Sequence, residues 1–307
     1  MWLSDRFGLR VREYAGTRRS PAELRADPRG RADDLNAAFA DDDVRAVFMS
    51  IGGDDSARIL PYVDLDLIAA DPKIIMGYSD SVTQLLACHS TGLITFHGPA
   101  VMAGFAQIGD FPAAEAHRRS MLFEPRDTLT YEPFPEWVDG YLDWNEGNAV
   151  AVGERRTHDR WHWLQGEGSV NGRWWGGCAE VLEFMKGTRW WPSESFWDDR
   201  VLFLEASEDV SSVEQLRYWL FNDGLQGIFD RISGLVIGRA RSDTDEMKAA
   251  LDEAVIEVLA EFEATELTVV TNVDIGHTDP QWIVPIGGRV ELDITARSIR
   301  LTERVVD

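Results

Sequence analysis

The chain has 307 residues and a formal net charge of −23, from 53 acidic against 30 basic residues. A surface this acidic repels phosphate backbones and excludes nucleic acid as a partner. Two cysteines, Cys88 and Cys178, make no disulfide framework and suit a reducing compartment. No apolar run approaches the ~20 residues of a membrane span, so no membrane partner is expected.

The opening MWLSDRFGLR lacks a basic stretch leading into an apolar one. No signal peptide is read, and the expected location is cytoplasmic. Met1 to Phe7 reads as the end of a helix. Parallel α/β domains usually open on a strand, so a first strand and most of its helix are missing from the pattern. GLRVREY (8–14) then reads as a short strand. RADDLNAAFAD (31–41) reads as a helix with Leu35, Ala38 and Phe39 on one face. VRAVFMSIGG (44–53) is a buried strand ending in paired glycines. ARILPYVDLDLIAADP is helical but broken near Pro61. KIIMG is a strand, residues 80 to 91 a helix, and LITFHGPA (93–100) another strand. Strands separated by helical segments imply a parallel sheet with right-handed crossovers.

Residues 131 to 197 hold most of the tryptophans, with many Gly and Arg. Beyond them come RVLFLEAS (strand), SVEQLRYWLFNDG (helix), ISGLVIGRA (strand), TDEMKAALDEAVIEVLAEF (helix) and LTVVTNVDIGH (strand). The closing IVPIGGRVELDITARSIRL alternates like antiparallel β. The expected class is α/β, with an N-terminal parallel-sheet, Rossmann-like domain and a C-terminal mixed α/β domain. Expected boundaries are 1–130 for a nucleophile domain, 131–165 for a linker, and 166–307 for a domain carrying Glu and His.

Candidate chemistry begins at GYSDS. Ser79 sits in the turn between a buried strand and a helix, with Gly77 before it and Asp80 after it. Either Ser79 or Asp80 caps the helix, or the turn is a nucleophile elbow that pushes the serine oxygen out of the sheet edge. An elbow needs a base, an orienting acid and an oxyanion hole. Six histidines limit the base. His277 follows a strand in NVDIGHTDP, a good position in an open α/β sheet. His97 in FHGPA is weaker, since a His-Gly-Pro turn more often shapes backbone. Glu205 closes the apolar run Val201 to Leu204, and a carboxylate there calls for a partner such as a histidine ring N–H. Gly52 and Gly53 permit close backbone approach, and with the N–H of Asp80 they could make an oxyanion hole. No metal-ligand or nucleotide-loop motif appears, so neither metal nor cofactor is expected.

These pieces together resemble the LD-carboxypeptidase family of serine peptidases over nearly the whole length. The resemblance rests on SIGGDDS (50–56), GYSD (77–80), FLEAS (203–207) and GHTDP (276–280), supported by FHGPA and GRWWGGCAEVLEFMKGT. It implies two domains with the site between them, a homodimer, and a Ser79–Glu205–His277 triad. The backbone N–H groups of Asp80 and of the Gly52–Gly53 turn match the oxyanion hole. Ile51 before the glycines and the GGC after the Trp-rich stretch bring the chain nearer the microcin C self-immunity branch. That branch cleaves the amide joining an acidic amino acid to a nucleotide-like phosphoramidate, and uses aromatic side chains to stack on the base. Trp174 and Trp175 are candidates for that stacking; ordinary core tryptophans are the alternative. Asp54–Asp55 departs from the branch, and an added acid there repels an anionic substrate. The expected substrate is therefore a small peptide or peptide-nucleotide. Release of D-Ala from a murein tetrapeptide is the alternative activity, and a non-catalytic binding protein on the same fold is the alternative from another class. An α/β-hydrolase fits less well, because the elbow lacks its final Gly and β-like sequence follows His277.

Overall fold

The computed structural model describes residues 2–144, 147–208, 212–241 and 244–307; Met1, part of the helix read at the start, lies outside them. The first third is mostly helical around three short strands. Helices α1 (Trp2–Phe7), α2 (Pro21–Ala26), α3 (Pro28–Ala40), α4 (Leu65–Ala70) and α5 (Val82–His89) accompany β1 (Ala46–Phe48), β2 (Ile74–Gly77) and β3 (Thr95–His97). α3 starts sharply because Asp27 accepts the N–H of Gly30 and Pro28 takes the first turn, where its missing N–H costs nothing. Leu35, Ala38 and Phe39 form its buried face, as the spacing predicts. The break at Pro61 is a 3-10 turn over Ser56–Tyr62, followed by α4.

α6 (Pro112–Leu122) leads to β4 (Leu129–Tyr131), β5 (Glu136–Val138), β6 (Arg155–Thr157) and β7 (His162–Gln165). Then follow β8 (Ser169–Cys178), α7 (Ala179–Met185), β9 (Arg200–Glu205), α8 (Val213–Leu225), β10 (Gly234–Gly238), α9 (Asp245–Glu261) and β11 (Thr268–Val273). The chain ends in β12 (Val284–Ile286), β13 (Arg289–Asp293) and β14 (Ser298–Leu301).

Two main sheets form. The smaller has the order β1-β2-β3-β12, with β1, β2 and β3 parallel and β12 antiparallel to β3. The larger runs β4-β14-β13-β8-β9-β10-β11-β7. Its centre, β8 to β11, is parallel, and antiparallel strands flank it on both sides. The fold is thus α/β with a parallel N-terminal sheet and a mixed C-terminal one. One apolar core runs through both, from Ile75, Met76 and Phe96 to Phe203, Val236 and Val270.

Two stretches differ from the sequence reading. Residues 8–14 form no strand; four of the seven are charged or tyrosine, and none is buried. Residues 131–165 carry β5 and β6, which pair with each other, and β7, which pairs with β11. Sheet membership also crosses the chain's halves. β4 joins the large sheet, and β12 returns from the large sheet to the small one. The segment 274–283 between β11 and β12 therefore passes from one sheet to the other.

Candidate active site

Three strand ends converge. β2 stops at Gly77, Tyr78 stays extended, and Ser79 then takes φ 58 before the chain turns into α5. A left-handed φ costs a non-glycine residue about 1 kcal/mol or more, and such strain clusters at functional sites. The side chain of Ser79 does not cap the helix.

Asp80 looks the other way. Its Oδ2 accepts the N–H groups of Asp55 (3.0 Å) and Ser56 (2.8 Å), and the Ser56 hydroxyl donates to its Oδ1 (2.9 Å). The same hydroxyl meets that of Thr83 at 2.6 Å. Burial raises the Asp80 carboxyl above its ordinary range, and the bonds from Ser56 and Asp55 oppose that shift. Asp80 thus fastens the loop after β1 to the turn after β2. That loop carries Gly52, whose Cα lies against the Ser79 side chain.

Glu205 ends β9, 1% exposed. Its Oε2 lies 2.6 Å from Nδ1 of His277 and its Oε1 3.4 Å from Nε2 of His97. Burial alone would raise Glu205; the charge and hydrogen bond of His277, then those of His97, outweigh it and hold the carboxyl well below the usual range. Burial likewise opposes a charged His277, and Glu205 overrides it and raises the imidazole. The Tyr78 ring covers His277, with centroids 4.9 Å apart. Among the described residues no hydrogen bond joins Ser79 to His277; such contacts are often long before substrate binds.

The His277 loop is held from several sides. A Cβ on Gly276 (φ 103) would fall 2.6 Å from Glu205 Oε2, so only glycine lets the loop approach the carboxylate. Val138 and Asp279 exchange both backbone hydrogen bonds (2.7 and 3.1 Å). Asp274 accepts from Trp161 Nε1 (2.9 Å) and from buried Arg239 (3.1 Å). His117 Nε2 accepts the N–H of Ile283 at 2.9 Å.

The structure thus brings together Ser79, Gly52, Gly53 and Asp80 on one side and Glu205 with His277 on the other. His97, read from sequence as the weaker candidate base, shares the Glu205 carboxylate. The one clue was its place at the end of a strand, and β3 indeed pairs His97 with Gly77. Trp174 and Trp175 do not fit the stacking role. They are 0% and 2% exposed. Trp174 packs edge-on against Tyr131 and Phe203, and Trp175 against Trp191, Phe196 and Trp197. Both belong to β8 at the middle of the large sheet, where neither face is open to solvent. Trp144, which sequence reading did not single out, is half-buried beside Tyr141 and packs against the Tyr78–Ala100–Ala103 cluster. It lines an apolar groove of about 230 Å³ with Leu3, Val101, Met102, Phe105 and Val150.

Among the described residues, one set of side chains has the donor types for a metal. Cys178, Glu205 and His277 bring a thiol, a carboxylate oxygen and a ring nitrogen within 4.8 Å of one another. Nδ1 of His277 and Oε2 of Glu205 are already joined by the 2.6 Å bond. Burial, with Glu205 and Glu180 adding to it, pushes the Cys178 thiol far above its usual range, so it stays protonated. This set fits a hydrogen-bonded acid–base pair better than a metal centre.

A strained serine after a parallel strand, and a buried Glu–His pair where β9 of the second sheet ends, supply the residue types of an acid–base site. Residues 1–98 match the LD-carboxypeptidase N-terminal domain and residues 171–292 the LD-carboxypeptidase C-terminal domain. The chain belongs to the LD-carboxypeptidase family. It is similar to the microcin C7 self-immunity protein MccF of Escherichia coli, 30% identical over 282 residues that cover 89% of this chain and 78% of that protein. A shorter stretch of 70 residues, 22% of this chain and 23% of the relative, is 40% identical to the murein tetrapeptide carboxypeptidase of Pseudomonas aeruginosa. Among solved structures, MccF in complex with glutamyl sulfamoyl guanosine superposes with a TM-score of 0.78 at 27% identity, covering 91% of this chain and 82% of that one. An MccF-like protein from Streptococcus pneumoniae, in complex with AMP, gives 0.76 at 25% identity, covering 91% and 84%. No described helix is long and apolar enough to cross a membrane.

Proposed function

We propose that the protein is a serine-dependent hydrolase that cleaves an amide bond in a small peptide-like substrate. The observation that carries this reading is the 2.6 Å bond from buried Glu205 to His277, on a loop facing the turn that strains Ser79. Glu205 holds Nδ1 of the ring, leaving Nε2 to take the Ser79 proton. The Ser79 oxygen then attacks the scissile carbonyl. Negative charge moves onto the carbonyl oxygen, which the N–H of Asp80 and the Gly52–Gly53 backbone would stabilise. Collapse expels the amine, which takes the proton from His277, and leaves an acyl-enzyme. Water, deprotonated by the same histidine, releases the acid.

An aminoacyl nucleotide-like substrate is the favoured class. MccF has been solved with such ligands, and this chain offers an apolar groove with Trp144 near Tyr78. A base stacked on an aromatic ring gains about 1–3 kcal/mol. Murein tetrapeptide cleavage is the second reading, supported by the similarity to the Pseudomonas aeruginosa enzyme.

The test is hydrolysis by purified protein of a murein tetrapeptide and of sulfamoyl adenosines bearing acidic, neutral and basic aminoacyl groups, each beside Ser79→Ala. Ser79-dependent nucleoside release is expected. Release of D-Ala alone would turn the assignment to the murein substrate. No turnover by a well-folded protein, with ligands still bound, would make it a binding protein.

A further inference from the structure

Glu205 offers two oxygens, and each faces a histidine. Oε2 meets Nδ1 of His277 at 2.6 Å, and Oε1 meets Nε2 of His97 at 3.4 Å. The first bond belongs to the acid–base pair. The second has no part in the mechanism above. A charged carboxylate only accepts, so the His97 proton sits on Nε2 and is donated to Oε1. That tautomer leaves Nδ1 as a bare acceptor. His97 is 0% exposed, and its Nδ1 has no hydrogen-bond partner among the described residues. Packing alone does not explain such a ring, since a phenyl group would fill the space without burying an unpaired nitrogen.

The place of His97 in the fold gives the ring its reach. β3 lies between β2 and β12 in the small sheet. His97 pairs on one side with Gly77, just before the Ser79 turn, and on the other with Val284, where the His277 loop re-enters the sheet. Its side chain crosses to the end of β9 in the large sheet. The ring stands edge-on to Tyr78 and Phe203, with centroids 6.3 and 5.2 Å away. One residue thus spans from the strand layer that carries the serine to the carboxylate that orients the base. A carboxylate turns about its last bond over a broad range of angles. Holding Oε1 fixes that rotation, and with it the direction from which Oε2 meets His277.

We propose, on the hydrolase reading above, that His97 is a positioning residue of the reaction: its Nε2–H locks the Glu205 carboxylate so that the His277 ring presents its own Nε2 to Ser79.

His97→Gln and His97→Asn separate this role from packing. Both put an amide in the same buried space. The longer side chain places its N–H near the position of the imidazole Nε2; the shorter places it near that of Nδ1, out of reach of Glu205. Two readouts are taken on each protein. One is the far-downfield proton resonance that a carboxylate bond of 2.6 Å gives to the Nδ1–H of His277. The other is the rate at which a fluorophosphonate labels Ser79, which reports the activated hydroxyl without a cognate substrate. His97→Gln is expected to keep the resonance and to label within ~3-fold of wild type. His97→Asn is expected to shift or lose the resonance and to label at least ~10-fold more slowly. Equal labelling of the two variants, an unchanged resonance in His97→Asn, or no downfield resonance in wild type would each overturn the proposal. So would loss of cooperative urea unfolding in both variants, which would make the histidine a packing residue. The hydrolase reading fails separately. A wild-type protein that shows the resonance but takes no label removes that reading, and the resonance of the two variants then decides whether His97 holds Glu205.

Discussion

Gly52 lies so close to Ser79 that a Cβ built on it would fall 2.8 Å from the serine Cβ and 2.9 Å from its Oγ. The glycine is needed for space. A methyl group there must push away either the serine or the loop that Asp80 fastens. The expected result for Gly52→Ala is a loss of kcat of at least ~100-fold, the scale of a misplaced oxyanion donor. Cooperative unfolding should survive, because a loop can shift outward by a few tenths of an ångström without opening the core. Normal turnover in a folded Gly52→Ala protein would remove this loop from the reacting centre.

Glu205 is fully buried, and its charge is what raises His277. A base must be neutral to work, so a raised imidazole makes kcat/KM climb with pH through a midpoint above the ordinary 6.5. Glu205→Gln removes the charge and leaves burial, which favours the neutral ring. The acidic limb should therefore move to lower pH, while the plateau falls by roughly 10²–10⁴ because the ring loses its orienting charge. A pH–rate profile of both proteins checks the sign. A limb that stays in place or moves upward would mean that another group is titrating.

The strand and helix pattern was legible because much of this chain is locally consistent. Val201 to Leu204 are all apolar and all buried, and Leu35, Ala38 and Phe39 recur at helical spacing. Ser79, Glu205 and His277 stood out as polar residues at the ends of such runs. The parts that stayed hidden depend on contacts between distant segments. The Asp80 side chain could be read as a local cap, but its partners are 24 and 25 residues away. Val138 holds the His277 loop through backbone bonds, which no residue type announces. Tryptophan content pointed to aromatic recognition, yet it cannot separate Trp174 in a central strand from Trp144 on a groove. GLRVREY alternates like a strand, but with no buried face to reward pairing it remains irregular.

The two kinds of tryptophan separate by experiment. Trp144→Ala should weaken a nucleotide-like ligand by about 1–3 kcal/mol, the worth of one stacked base, with little change in unfolding. Trp175→Ala empties a packed site ringed by three aromatic residues and should cost about 3–5 kcal/mol of stability. Ligand titration and denaturant unfolding of both variants give the comparison. Unchanged AMP affinity in Trp144→Ala would place base recognition elsewhere.

The last prediction concerns pH and the segment that carries the base. His117 is half-buried, and its Nε2 accepts the N–H of Ile283, at the far end of the His277 loop. Burial, helped by neighbouring Arg118, pushes its imidazole down to about 3. In the unfolded chain the ring takes a proton near its ordinary 6.5. Between those values the unfolded state binds the extra proton, so acidification favours unfolding by about 1.4 kcal/mol per pH unit from this residue alone. The contribution is fully present above 6.5 and lost as pH falls toward 3. His117→Gln keeps an oxygen able to accept from Ile283 but cannot titrate. Its stability should therefore fall less steeply between pH 6 and 4 than that of wild type, by a slope of about one proton. Urea unfolding at several pH values measures both slopes. Equal slopes would mean that the ring is already protonated in the folded protein, and the Ile283 bond could not then be the acceptor contact that holds the loop.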